Sequence, residues 1–132
     1  MIVTFANVGF AKTEIDTISN WQVYKDSELL FKSHMLDSHR YSSRIKRNDI
    51  YESISLNYFD CVRKNTKKRV ALVFGNKVVL EIDGNIDDLV IKIPKIVIDK
   101  SIKDYYEKEL FVKYFDESNP KGIILGILIF AK

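Results

Sequence analysis

The stretch RVALVFGNKVVLEI, from Arg69 to Ile82, decides the fold prediction for this chain. Two runs rich in valine and leucine flank the pair Gly75-Asn76, and such a pair accepts the positive φ angles of a two-residue hairpin turn. The run 70–74 is apolar on both faces of an extended chain, which is typical of a strand covered on both sides of its sheet. We therefore predict a β-hairpin whose first strand lies inside a sheet.

The segments on both sides of this hairpin carry further strand patterns. Residues 50–62 alternate, with Ile50, Ile54, Leu56 and Tyr58 on one face of the predicted strand and polar side chains on the other. The final apolar run, 123–130, has no polar face, so we expect it in the middle of a sheet or covered by a partner. The other predicted strands are 2–10, 88–93, 95–99 and 110–116, together with two strands within 21–36 that meet at Lys25-Asp26-Ser27.

Two segments depart from the strand pattern. Residues 101–109 are predicted as one short helix, because Ser101 and Asp104 have the spacing of a helix N-terminal capping box. Residues 37–49 are almost free of apolar side chains and are predicted as a long exposed loop. About eight short strands with one helix indicate a mainly β fold, namely an antiparallel β-sandwich or alternatively a small barrel, formed as a single domain over residues 1–132.

The composition is that of a folded intracellular protein. With 132 residues, of which 46% are hydrophobic, the chain is long enough to bury a core of its own. Its only cysteine, Cys61, cannot form an intrachain disulfide, which fits a reducing compartment, and we expect a cytoplasmic location. The longest apolar run, 123–131, is about half the length that a membrane-spanning helix needs, so no membrane span is predicted.

No motif for catalysis, a cofactor or a metal is recognisable in the sequence. His34, Asp37 and His39 are close along the chain, but their spacing matches no zinc site, and we expect them in an exposed loop. The five glycines never cluster, which excludes a glycine-rich phosphate loop. The spacing of Asp83, Asp87 and Asp88 does not fit a calcium-binding loop. We therefore predict no catalytic residue, no cofactor and no metal ligand, and we expect a protein that is not an enzyme.

The net charge is only +3, but the positive charge is concentrated locally. Segments 40–47 and 63–69 are basic, and the predicted strand 50–62 between them would hold them about 35–40 Å apart, at opposite poles. The candidate binding residues in these two segments are Arg40, Arg44, Lys46, Arg47, Arg63, Lys64, Lys67, Lys68 and Arg69. They fit three interpretations: solvated turns, contact with an acidic protein, or contact with nucleic acid.

Three functional hypotheses remain open. The first is a non-enzymatic β-sandwich that contacts other proteins or itself, as a structural or assembly subunit of the kind found in viral, phage and secretion assemblies. It is suggested by the missing catalytic motif, by the apolar final strand and by aromatic residues expected at the surface, namely Trp21, Tyr24, Tyr105 and Tyr106. The second is a nucleic-acid-binding β domain that uses the two basic segments. The third is a metal-independent ribonuclease in which His39 acts as general acid and base.

Overall fold

The computed structural model of the chain describes residues 19–33, 41–60, 67–84 and 90–132. Some of the predictions above concern residues outside these ranges. They are the strand at 2–10, the residues His34, Asp37, His39 and Arg40, and Cys61, Arg63, Lys64, Asp87 and Asp88. The ribonuclease hypothesis, which depends on His39, therefore stays a prediction.

Strands make up most of the described chain, and one short helix accompanies them. The elements are β1 (Ser19–Lys25), β2 (Glu28–Lys32), β3 (Ser42–Lys46), β4 (Ser53–Asp60), β5 (Lys68–Phe74), β6 (Lys77–Gly84), β7 (Val90–Pro94), α1 (Lys95–Ser101), β8 (Glu109–Asp116) and β9 (Asn119–Ala131). Five strands form one sheet in the order β3-β9-β8-β5-β6, and four form a second in the order β2-β1-β4-β7. The predicted mainly β, sandwich-like architecture is confirmed, and the described strands do not close into a barrel.

The predicted hairpin forms as β5 and β6, joined at Gly75-Asn76. Gly75 has a φ of 60°, in the left-handed region that this turn requires and that glycine adopts without steric cost. β5 lies between β6 and β8, and its four residues 70–73 are buried on both faces, as their composition predicted. The turn predicted between the two strands of 21–36 is also present, with Asp26 at a φ of 52°.

The two sheets pack through the faces that the alternating pattern marks as apolar. The core-facing side chains of β4 and β8 are Ile54, Leu56, Tyr58, Leu110, Val112 and Tyr114. Ile50, predicted on the same face, is 99% exposed because β4 begins only at Ser53. The rings of Tyr58 and Tyr114 stack across the two sheets, with centroids 3.9 Å apart and planes inclined by 11°. Such a stacked pair stabilises the fold by about 0.5–1.5 kcal/mol, in addition to the stabilisation from the apolar area that it buries. Tyr114 also donates its hydroxyl to Asp116, at 2.9 Å, so its polar end has a partner.

β3 corrects the prediction of a long loop at 37–49. Ser42–Lys46 is an edge strand, and its pairing with β9 is parallel, so the sheet is not wholly antiparallel as predicted. Of its five side chains, only that of Ile45 is buried, at 1% exposure. An edge strand with one face in solvent needs few apolar residues, because only the side chains of its inner face are buried. This explains why the polar composition of this segment predicted a loop although the segment forms a strand.

The position of α1 corrects a second prediction, that of a strand at 95–99. Pro94 precedes the helix with φ −62° and ψ 144°, and proline is tolerated where a helix begins because its missing N–H would have no partner there. The β-branched residues of α1 favour a strand, but Ile98 is fully buried in the core. Tertiary packing therefore outweighs the local propensity.

The helix predicted at 101–109 is absent. Ser101 is the last residue of α1, and its hydroxyl donates backwards to the carbonyl oxygen of Val97, at 2.9 Å, so it does not cap a new helix. The following residues form turns, and Glu107 has a φ of 64°, which a right-handed helix cannot contain. The spacing of Ser101 and Asp104 was therefore a misleading signal.

β9 lies inside the five-stranded sheet, between β3 and β8, as its apolar pattern predicted. Where β9 passes over the core, Gly126 contacts the fully buried ring of Phe31 from the opposite sheet. A Cβ atom at position 126 would lie 2.6 Å from Cε2 of Phe31 and 2.8 Å from the carbonyl oxygen of Tyr41. The sheets can approach this closely only because residue 126 has no side chain.

We predict that Gly126→Ala lowers the free energy of unfolding by about 1–3 kcal/mol, because the methyl group overfills the core at this point. The carbonyl group of Tyr41 cannot move aside cheaply, since it accepts the backbone N–H of Ile127 at 2.8 Å. Urea denaturation measures the change. Gly75→Asn is the matched control: no atom lies within 4 Å of a Cβ there, and asparagine tolerates its positive φ. Equal losses in the two variants would contradict the packing explanation.

Candidate functional site

The outer face of the five-stranded sheet, which points away from the core, is the first candidate surface. β8 defines it most clearly, because burial alternates along this strand from Glu109 to Phe115. The outward side chains of β8 are Glu109, Phe111, Lys113 and Phe115. Their paired neighbours on β9 and β5 point the same way, because cross-strand partners share a face of the sheet.

The centre of this outer face is apolar. Phe111 pairs with Ile127 on β9 and with Val73 on β5, which makes a continuous apolar row across three strands. Two more isoleucines flank the row on β9: Ile124 opposite Lys113, and Ile129 opposite Glu109. The side chain of Ile124 is 57% exposed. A shallow groove of about 380 Å³ runs along this part of the face, lined among others by Phe111, Ile124, Ile127 and Ile129.

Charged side chains surround the apolar centre. At one end of the sheet, Arg44 on β3 forms an ion pair with Glu107. At the other end, the guanidinium of Arg69 lies 4.1 Å from the centroid of the Phe115 ring, and its Nε is 3.4 Å from Glu81 Oε2. That Nε is buried and makes no hydrogen bond with the described residues, so the contact with Glu81 is an ion pair only. Both arginines thus have acidic partners within the chain.

The structure separates the described parts of the two basic segments, as the sequence predicted. Arg44 lies level with Glu109 on β8 and Arg69 lies level with Phe115, six residues further along that strand. The two arginines are therefore on one face but about 20 Å apart along the strands. Among the described residues they do not form a continuous cationic groove.

The remaining predicted basic residues differ widely in exposure. Lys46, Arg47 and Lys67 are exposed. Lys68 is only 3% exposed, because it begins β5 in the phase that points inward with Val70. Its side chain is not available to a partner at the surface. The sequence pattern could not reveal this, since the phase of β5 is set by its neighbours β6 and β8.

A second candidate is a charged cleft of about 620 Å³ between α1, the turn after β3 and the end of β9. Its lining residues are Arg47, Lys95, Asp99, Lys103, Asp104, Tyr106 and Lys132. Lys95 and Asp99 form an ion pair at 2.9 Å, and the guanidinium of Arg47 lies 5.3 Å from the centroid of the Tyr106 ring. Only Arg47 was a candidate from the sequence, because the other residues come together from distant segments.

Tyr51 is buried beside this cleft, with the ammonium of Lys95 5.4 Å from its ring centroid. Burial raises the pKa of the Tyr51 hydroxyl, and the negative charges of Asp99 and Asp49 raise it further. The hydroxyl therefore stays neutral and does not act as a base. In residues 19–33, 41–60, 67–84 and 90–132, no group of three or more His, Cys, Asp and Glu side chains is arranged to hold a metal ion.

The aromatic residues expected at the surface are less exposed than the sequence suggested. Trp21, Tyr24, Tyr105 and Tyr106 are all partly buried. Trp21 packs on the core, with its ring centroid 6.2 Å from that of Phe31 in an edge-to-face arrangement. The exposed apolar surface is instead aliphatic to a large extent, and Ile124 and Val78 on the five-stranded sheet are parts of it.

No protein-family model matches the sequence, and no curated protein matches it either. Functional inference therefore rests on the chemistry of these surfaces. Over the part of the chain that the structure describes, no helix has the length and apolar character needed to cross a membrane.

Glu107 should titrate below its ordinary value of 4.5. The larger cause of its lowered pKa is the backbone N–H of Lys132, which donates to Oε2 at 3.1 Å, and Arg44 adds to the effect. A lowered pKa in the folded state stabilises the fold above the ordinary value, and this contribution is lost as the pH falls through the folded-state pKa. NMR titration should show that the pKa of Glu107 remains lowered in Arg44→Ala. A return to the ordinary value would make Arg44 the main cause.

Arg69→Ala should lower the free energy of unfolding by about 1 kcal/mol, because Arg69 covers the Phe115 ring and pairs with Glu81. Lys67→Ala is the matched control two positions earlier, and as an exposed substitution it should change stability by less than about 0.5 kcal/mol. Urea denaturation of both variants gives the comparison. If the two substitutions have the same small effect, Arg69 is a solvated surface charge and not a packed part of the sheet.

Proposed function

We propose that this protein is a non-enzymatic protein-contact domain and that the outer face of the five-stranded sheet is its contact surface. The observation that carries the proposal is the apolar surface formed by Phe111 on β8 and by Ile124, Ile127 and Ile129 on β9, which face outward and line one groove. An apolar centre with a charged rim is the usual arrangement of a protein–protein interface. Structural or assembly subunits are the class of protein to which such a surface belongs.

The dimensions of the outer face fit a small interface. Five strands spaced about 4.8 Å apart give the outer face a width of roughly 24 Å, and the whole face, including its charged rim, extends for roughly 20 Å from the level of Glu109 to that of Phe115. The contact area is thus about 500 Å² on each partner, below the roughly 800 Å² of a standard interface. We therefore expect a reversible complex and not an obligate one.

Nucleic acid is a poorer match to this face. A surface that binds single strands needs unpaired cations and aromatic rings open for stacking. Here Arg44 and Arg69 have acidic partners. The Phe115 ring is covered by Arg69 on one side and packs against the backbone at Gly122, where a Cβ would lie 2.6 Å from the ring. The chemistry of the face therefore favours a protein partner.

We predict that Ile124→Glu abolishes complex formation, because it places a charge in the apolar centre of the contact surface. Ile96→Glu is the matched control: Ile96 is also exposed, at 68%, but lies on α1, which contributes no side chain to the outer face. Both variants should fold, since neither side chain is buried. Sedimentation velocity measures self-association, and retention of partners from an extract of the source cells measures other complexes.

The expected result is that wild type and Ile96→Glu form the same complex and that Ile124→Glu does not. The proposal is wrong if wild type forms no complex of either kind, or if both substitutions weaken the complex equally. Circular dichroism spectra of the three proteins must agree for the comparison to count.

A further inference from the structure

We infer that the partner on the outer face is a second copy of this chain, bound about a two-fold axis that passes over Phe111. This inference rests on the proposed function and names its partner. It comes from the order of side chains on β8, where Glu109, Phe111 and Lys113 are successive outward residues. The two opposite charges lie at equal distances, about 7 Å, on either side of the phenyl ring.

Two identical sheets that pack face to face are related by an axis lying in the plane between them. If this axis is perpendicular to β8 and crosses Phe111, Glu109 of one copy faces Lys113 of the other, and the reverse pair forms by symmetry. An axis over Glu109 or over Lys113 would instead place like charges opposite each other, which is unfavourable. Of these three possible axes, only the one over Phe111 gives two pairs of opposite charges.

The positions of the apolar residues on the outer face fit the same two-fold axis. Phe111 and Ile127 lie in one row across the strands, so an axis along this row brings each of them against its own copy. On β9, Ile124 lies level with Lys113 and Ile129 lies level with Glu109. The axis therefore places Ile124 against the partner's Ile129, apolar against apolar. The charge pattern and the apolar pattern thus lead to the same arrangement independently.

Sheet twist does not disturb these contacts. Stacked sheets usually cross at about 30°. For a residue that lies about 7 Å from the axis, this crossing causes a sideways displacement of about 4 Å relative to the facing residue of the other copy. The long side chains of glutamate and lysine span such a displacement. Phe111, where the axis crosses β8, is not displaced, and Ile127, one strand away, is displaced by only about 2–3 Å.

Glu109 and Lys113 also lack an ion-pair partner among the described residues. In the described ranges, no side chain of opposite charge lies within 4 Å of either one, and Lys113 contacts only the Phe115 ring, at 5.6 Å from its centroid. Arg44 and Arg69, at the two ends of the sheet, are both paired. The symmetric complex would give each of Glu109 and Lys113 a partner of opposite charge.

The experiment uses sedimentation equilibrium on the full chain and on three variants: Glu109→Lys, Lys113→Glu and the double variant that exchanges the two charges. Wild type should form a reversible dimer. Each single variant should dimerise at least about tenfold more weakly, because it sets like charges opposite each other at both symmetric positions. The double variant restores both opposite pairs and should recover the wild-type constant to within about threefold.

A mixture of the two single variants provides a second test. Glu109→Lys carries two lysines beside Phe111, and Lys113→Glu carries two glutamates, so they should associate with each other more strongly than either does with itself. Because a variant that failed to fold could not restore association to another, this mixture also controls for folding.

Two outcomes would overturn the inference and leave the proposed function standing. One is a wild type that stays monomeric at millimolar concentration while Ile124→Glu loses a different protein partner. The other is a dimer that Ile124→Glu disrupts but that the charge variants do not affect, which would place the axis elsewhere. A dimer that is unaffected by Ile124→Glu as well would overturn both.

Discussion

The contact between the Phe31 ring and the backbone at Gly126 is the constraint on which the rest of the structure depends. It brings the four-stranded sheet against the five-stranded one where β9 lacks a side chain. Trp21 packs on the same ring, and Tyr58 stacks on Tyr114 across the sheets. Once these inner faces are buried, the alternation of a strand directs every second residue of β8 outward. The composition of the outer face is therefore a consequence of how the core is packed.

Much of the fold could be predicted because some segments are unambiguous. The Gly75-Asn76 hairpin has turn chemistry that few other structures use, and β9 has no polar face, so it must lie inside a sheet. The failures have a common physical cause. β3 and α1 are each held by one buried isoleucine, Ile45 and Ile98 respectively, and their local composition favours another structure. Tertiary contacts decide such segments, and these contacts are not visible in a short window of sequence.

The candidate surface was harder to predict than the fold. The segment ELFVKYF has apolar residues at both odd and even positions, so its outward face cannot be identified until Leu110, Val112 and Tyr114 are known to be buried. The other residues of the face belong to β5 and β9 and depend on strand register. Clustered charges such as those at 63–69 are easy to see in the sequence, yet Lys68 is buried and Arg69 is stacked on Phe115.

The parallel pairing of β3 with β9 has a consequence for biosynthesis. Ser42 pairs with Ile127, so β3 remains without its neighbour until nearly all of the described chain has emerged from the ribosome. β9 also separates β3 from β8, and the five-stranded sheet cannot be completed without it. Contacts between such distant segments raise the contact order, which slows folding and prolongs the time that apolar strands are open to aggregation. Chaperone dependence during translation is the expected result.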